Sequence, residues 1–291
     1  MIEYISKYSA FTTNALKEKY TYRFKALMWS LSTLFNMLVQ YYLWRSVYEE
    51  VNGNFLGVTQ EEYLVYISFG VVFYNVISCM ENMNIAEDIK SGNIAMNLCK
   101  PINYKTMVFF RHLGSKAGEF IGLIPLILVA FLLTNNTSFD LFRLALFSIS
   151  TLFAFLLMFS FYYMVGIFTF WTTNYWGIQF FTNSIMGLFS GQLVAIEFFH
   201  QLGSGEVVLS GLSILQNPFF TTFFTLLEKL AYCLPFQSMY YTPMSILSGI
   251  IKTPRDIGTH IVLQIIWLLV LNILTAIMWK RAQRKIMILG G

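Results

Sequence analysis

The residues able to do chemistry are few and scattered. His112, His200 and His260 stand far apart in the sequence, and none sits in an HExxH or cysteine-rich setting that would bind a metal. No GxxxxGK[ST] loop is present to cradle a nucleotide phosphate, and no Ser-His-Asp arrangement follows from the spacing. Cys79, Cys99 and Cys233 imply no disulfide framework. What stands out instead is a set of neutral amides inside apolar runs: Asn36, Gln40, Asn75, Asn183, Gln192, Gln264 and Asn272. They have two readings, as hydrogen bonds between packed helices or as the lining of a substrate path. Glu81, Glu119 and Glu197 fall toward the ends of apolar runs, where a charge costs little. Deep carboxylates of the kind that drive ion-coupled carriers are missing from these runs.

The elements that must hold those amides are membrane helices. Of 291 residues, 56% are hydrophobic, 18% aromatic and only 12% charged, too much apolar surface for a soluble fold of this size to hide. The apolar runs are continuous rather than alternating, which selects helices over a barrel. Spans are expected at 27–47, 63–83, 119–134, 144–168, 178–199 and 259–279, the third extending back through Leu113. Residues 1–25 resemble no signal peptide. Their apolar positions Ile5, Tyr8, Phe11, Leu16, Tyr20 and Phe24 alternate with basic residues, as in an amphipathic helix on an anionic inner leaflet.

Charge sets the orientation. Fourteen of the nineteen Lys and Arg lie in 1–25, in the connector 86–116 and in the tail from Lys280, whereas 49–62 carries four glutamates and no basic residue. Both termini and the connector are therefore expected in the cytoplasm. The connector 169–177 has no Lys or Arg, and only parity places it. The net charge of +4 is dispersed in short clusters, which excludes a nucleic-acid groove. Residues 219–234 and 236–251 are apolar but short and broken by Pro218, Pro235, Pro243 and Pro254. They read as two helices that dip into the outer leaflet and return, within an outer segment 200–258. An eight-span chain is the other arrangement that parity allows.

The cytoplasmic segment 86–112 carries the most information. Glu87, Asp88, Lys90 and Ser91 form a charged helix end, Gly92 is a natural stop, and Pro101 favours an extended residue before it. A short helix, a break and a second helix along the membrane surface make a docking surface.

Four stretches resemble the permease subunits of ATP-binding-cassette exporters, the ABC type-2 permeases with separate ATPase subunits. They are YYLWRSVYEE (41–50), EDIKSGNIAMNLCKPINYKTMVFFR (87–111), SGQLVAIEFF (190–199) and LPFQSMYYTPMSILSG (234–249), with a terminal Gly290–Gly291 after the basic tail. Two departures concern the outer face: 200–218 looks like an insertion, and Ala195 stands where a proline is expected. The resemblance implies a single all-α permease domain over 1–291 with six transmembrane helices, in a bacterial cell membrane. It implies two cytoplasmic ATPase subunits that bind ATP and Mg²⁺, a second permease, and no cofactor or catalytic residue in this chain. It further implies an ATPase-coupling role for Glu87, Asp88, Lys90, Gly92, Pro101 and Arg111, and an outer gate at Pro235, Phe236 and Pro243. The cargo expected of a path without deep charges is amphipathic or hydrophobic: a drug, a peptide or a lipid-like molecule. A secondary carrier and a membrane partner or immunity protein that transports nothing are the competing classes.

Overall fold

The computed structural model describes residues 2–21, 23–50, 54–55, 57–134, 140–172, 175–204 and 218–289. These residues form twelve α-helices and one short antiparallel hairpin. In order they are α1 (Ile2–Thr21), α2 (Arg23–Glu50), β1 (Asn54–Phe55), β2 (Val58–Thr59), α3 (Gln60–Ile77), α4 (Glu81–Lys90), α5 (Asn93–Cys99) and α6 (Tyr104–Leu133). Then follow α7 (Leu141–Phe168), α8 (Tyr175–Phe189), α9 (Ile196–Ser204), α10 (Pro218–Cys233), α11 (Tyr241–Ser248) and α12 (Pro254–Leu289).

Among the described residues, four helical stretches are long and apolar enough to cross a membrane: Gln60–Lys90, Tyr104–Leu133, Leu141–Phe168 and Pro254–Lys285. The helix α2 has the length, 28 residues, but carries Asn36 and Gln40 in its middle. The helix α8 has only 15 residues, about 22 Å at 1.5 Å per residue, short of a hydrocarbon layer of about 30 Å.

Three expected spans are corrected. The span 63–83 is interrupted at Ser78–Met80, between α3 and α4. There Lys116 Nζ donates to Asn75 O and to Ser78 Oγ, both at 2.9 Å, and so satisfies a carbonyl that the end of α3 leaves without a helical partner. The span 178–199 stops at Phe189 and resumes as α9, because Gly191 takes a left-handed conformation (φ +84°) closed to most side chains. The third span, expected to extend back from 119 through Leu113, reaches further, to Tyr104, on an Asn103 cap that accepts from Thr106 N at 3.1 Å.

The N-terminal helix also departs from expectation. It ends at Thr21, so Phe24 belongs to α2. Its buried residues, Tyr8 and Ala15, with Phe11 and Leu16 partly covered, face the protein instead of lipid, because α1 packs along α6. The approach is close: a Cβ on Gly114 would lie 2.2 Å from the backbone oxygen of Thr12. Thr12 Oγ1 donates to Phe110 O at 2.9 Å, and Lys19 pairs with Glu119 at 2.5 Å.

Contacts sort the connections to two ends of the bundle. At one end Trp279 stacks on Tyr104 at 5.4 Å, Asn103 N donates to the Tyr8 hydroxyl at 2.9 Å, and Lys285 Nζ donates to Phe170 O at 2.6 Å. Phe170, at the start of the uncharged connector, thus lies beside the basic tail. At the other end Lys252 pairs with Glu62 at 3.1 Å and Tyr41 donates to Leu133 O at 2.8 Å. The helix α10 runs inward from that end. Residues 234–240 are turns, where a helix over 236–251 was expected, and α11 leads back out. These turns lie deep: Gln264 Nε2 donates to Ser238 O at 2.8 Å, about 15 Å along α12 from its start. Irregular backbone at such depth is tolerable only inside protein, and residues 235–247 are all buried. Most of the insertion at 200–218 and the terminal Gly290–Gly291 lie outside the described residues.

Candidate functional site

A cleft of about 220 Å³ opens between α2 and α3. Its α2 wall is Trp29, Ser32, Thr33, Asn36 and Gln40, which share one face of a 3.6-residue helix. Val71, Tyr74 and Asn75 of α3 face them, and Gln192, from the break after α8, and Tyr240, from the deep turns, complete the lining. Four of the seven amides singled out in the sequence meet here.

The break supplies Gln192 because it is pinned on both sides. Tyr66 donates to Gly191 O at 2.6 Å, and Tyr241 N donates to Ser190 O at 3.0 Å. Tyr240 is held edge-on to Tyr66, Phe73 and Tyr74.

The other three amides do structural work. Gln264 donates to Ser150 O at 3.1 Å and to Ser238 O, and accepts from Ser150 Oγ at 3.0 Å. Asn272 accepts from Lys105 Nζ at 2.6 Å and donates to Leu268 O at 2.7 Å and Ser160 Oγ at 3.4 Å. Asn183 accepts from Gln179 Nε2 at 3.1 Å and from the Tyr162 hydroxyl at 3.3 Å.

After α3 and the break at Ser78–Met80, α4 and α5 form an elbow. Gly92, with φ +76°, turns the chain between the two helices, and Lys100 is extended ahead of Pro101. Glu87, Lys90, Gly92 and Pro101 are exposed on the elbow, with Met96 and Lys100. The Lys90 ammonium lies 6.0 Å from the Tyr175 ring. Asp88 and Arg111 turn inward instead. Asp88 accepts from the Tyr104 hydroxyl at 2.9 Å and from Asn97 at 3.3 Å, tying α4 to α5 and α6. Arg111 pairs at 2.8 Å with Glu81, which is only 3% exposed and sits in the first turn of α4, where a carboxylate suits the helix dipole.

Two connections run from the elbow toward the cleft. In the first, Glu81 of α4 holds Arg111 of α6, and Lys116, five residues further along α6, grips the backbone oxygen of Asn75, whose side chain lines the cleft. In the second, Asn82 of α4 donates to Gln179 of α8, which also accepts from the Tyr175 hydroxyl at 2.8 Å and donates onward to Asn183. The helix α4 is seated closely on α7, since a Cβ on Gly166 would come 2.9 Å from Ile85 Cβ.

Pro235, Phe236 and Pro243 are buried, and Phe236 packs edge-on against Phe161 at 5.3 Å. They lie within the bundle rather than at its outer rim. At that rim His200 Nδ1 and Glu228 are 3.0 Å apart, and burial together with the Glu228 carboxylate holds the Glu197 carboxyl above its ordinary range.

Sequence reasoning missed Trp29, Ser32, Thr33, Tyr74 and Tyr240. The available signal was the polar stripe Ser32, Thr33, Asn36 and Gln40 on one face of an otherwise apolar helix. No group of three or more potential metal ligands occurs among the described residues.

Residues 34–197, more than half of the chain, match the model of a family described as ABC-2 family transporter protein. The match takes in the elbow and most of the cleft, and stops before the deep turns. No curated protein and no solved structure matches the chain.

Proposed function

We propose that this chain, which belongs to the ABC-2 transporter family, is the permease subunit of an exporter driven by ATP hydrolysis on separate subunits. In this reading it crosses the membrane six times, through α2, α3 continued by α4, α6, α7, α8 continued by α9, and α12. Both termini, the elbow and the 169–177 connector face the cytoplasm of a bacterial cell. Two ATPase subunits bind ATP and Mg²⁺ and dock below a pair of permeases, the second being identical or homologous. The cargo is amphipathic or hydrophobic, a drug, peptide or lipid-like molecule, and the cleft between α2 and α3 is part of its path.

The observation that carries the proposal is the continuity between the exposed elbow and the polar cleft. Closure of an ATPase against α5 displaces α4, to which α5 is tied through Asp88 and Asn97. The break at Ser78–Met80 lets α4 move without unwinding α3, the Glu81–Arg111 pair passes the displacement to α6, and Lys116 of α6 carries it to Asn75. The Asn82–Gln179–Asn183 chain passes the same motion to α8, which ends at the turn bearing Gln192. ATP drives the cycle by favouring one of two arrangements over the other. Glu87, Lys90, Gly92 and Pro101 are then contact residues, and Asp88 and Arg111 positioning residues. Pro235, Phe236 and Pro243 shape a gate at depth.

The test is mild-detergent purification of the chain from its native membrane with mass spectrometry of what accompanies it. The expected companion is a stoichiometric soluble ATPase with a phosphate loop. If none is captured even after crosslinking, the proposal fails and the carrier and non-transporting readings take its place.

A further inference from the structure

The cleft amides keep hydrogen-bonding capacity that the chain itself does not use. Gln192 has no side-chain hydrogen bond among the described residues. Asn36 accepts from Gln40 at 2.7 Å and keeps its NH₂ group, while Gln40 keeps its oxygen. Asn75 donates to Val71 O at 2.7 Å and keeps its side-chain oxygen. The cleft therefore offers both donors and acceptors, beside the rings of Trp29, Tyr74 and Tyr240.

Among the described residues, no charged side chain lines it. Lys116, which reaches the backbone of the lining residue Asn75, spends its ammonium on Asn75 O, Ser78 Oγ and Glu119, the last at 2.8 Å. A charged group entering the cleft would lose water and gain no counter-charge, which is unfavourable. A neutral group with hydroxyls or amides would exchange its water for the four side-chain amides.

Size narrows the choice further. A volume of about 220 Å³ lies below the roughly 300–1,000 Å³ of sites that engulf a drug-sized ligand, so only part of a larger molecule fits. Around α2 from the cleft wall stand Met28, Val39 and Leu43, all exposed and apolar. We infer that the cleft binds the uncharged, hydroxyl- or amide-bearing head of an amphipathic molecule, whose apolar tail lies along this flank of α2. The inference rests on the proposal that the cleft is part of the translocation path.

The test uses the full chain in lipid nanodiscs, carrying Ser32→Cys with the exposed Cys99 and Cys233 changed to serine. Maleimide labelling of the new thiol is timed against three dodecyl amphiphiles below their micelle concentrations, with maltose, trimethylammonium or phosphate heads. The maltoside is expected to slow labelling at least fivefold, at concentrations where the charged pair change it less than twofold. Gln192→Ala is expected to raise the half-protecting maltoside concentration about tenfold. Gln192→Glu, in a chain that elutes as a single species, is expected to admit the trimethylammonium compound instead. Equal or better protection by either charged head in the parent overturns the inference and leaves the path reading standing. Protection unaltered by Gln192→Ala overturns recognition by the amides. No protection by any of the three overturns both readings.

Discussion

Gln264 and Gln192 are the same side chain in comparably apolar stretches of sequence, and they end in opposite situations. Gln264 is fully buried where α7, α12 and the turn at Ser238 meet, with both ends of its amide engaged. Gln192 stands in a helix break, at the wall of a cleft, with its amide uncommitted. The first is an interhelical tie, worth about 0.6 kcal/mol on average in membrane bundles. The second adds little to cohesion and is available to something else. Where the partners are other helices, an amide in an apolar run is scaffold; where capacity is left over, it is a candidate for binding.

Removing ties on the scaffold side gives the largest effects. Arg111→Ala leaves Glu81 buried without its counter-charge, a loss of about 3–5 kcal/mol. It is expected to abolish accumulation of the protein, or to lower its melting temperature further than loss of any single amide does. Gln264→Ala leaves the buried Ser150 hydroxyl and Ser238 O without their partner and is expected to cost about 1–3 kcal/mol, read as a lower melting temperature in nanodiscs. Gln179→Ala removes the acceptor shared by Asn82 and Tyr175, for a loss of about 1 kcal/mol. Its distinguishing effect is on coupling: ATP hydrolysis by the purified complex continues while transport falls. Gln192→Ala is expected to change stability by less than about 0.5 kcal/mol while weakening cleft protection. The comparison breaks if Gln192→Ala lowers the melting temperature as far as Gln264→Ala does.

Much of this was legible in the sequence because it depends on local pattern. Continuous apolar runs marked α7 and α12, and the order of Gly92 and Pro101 marked the elbow. What was hidden depends on distant partners. Nothing in Ser78–Cys79–Met80 announces a helix end; the break is stabilised by Lys116, 38 residues beyond Ser78. Gly191 is one of two glycines, with Gly187, in an apolar run, and the contacts from Tyr66 and Tyr241 make it the turn. The basic, aromatic pattern of the N-terminus suits a membrane surface, but the notch at Gly114 that receives α1 lies about a hundred residues away. Composition could not divide the seven amides for the same reason, since their partners lie on other helices.

The measurement that bears most directly on the central claim is the labelling rate of the Ser32→Cys thiol in native membranes, compared between ATP-depleted and vanadate-trapped states. If the elbow drives the cleft, the two rates differ at least threefold, and the Gln179→Ala chain shows a much smaller difference. Equal rates in the two states, with the ATPase shown to be bound, would contradict the account.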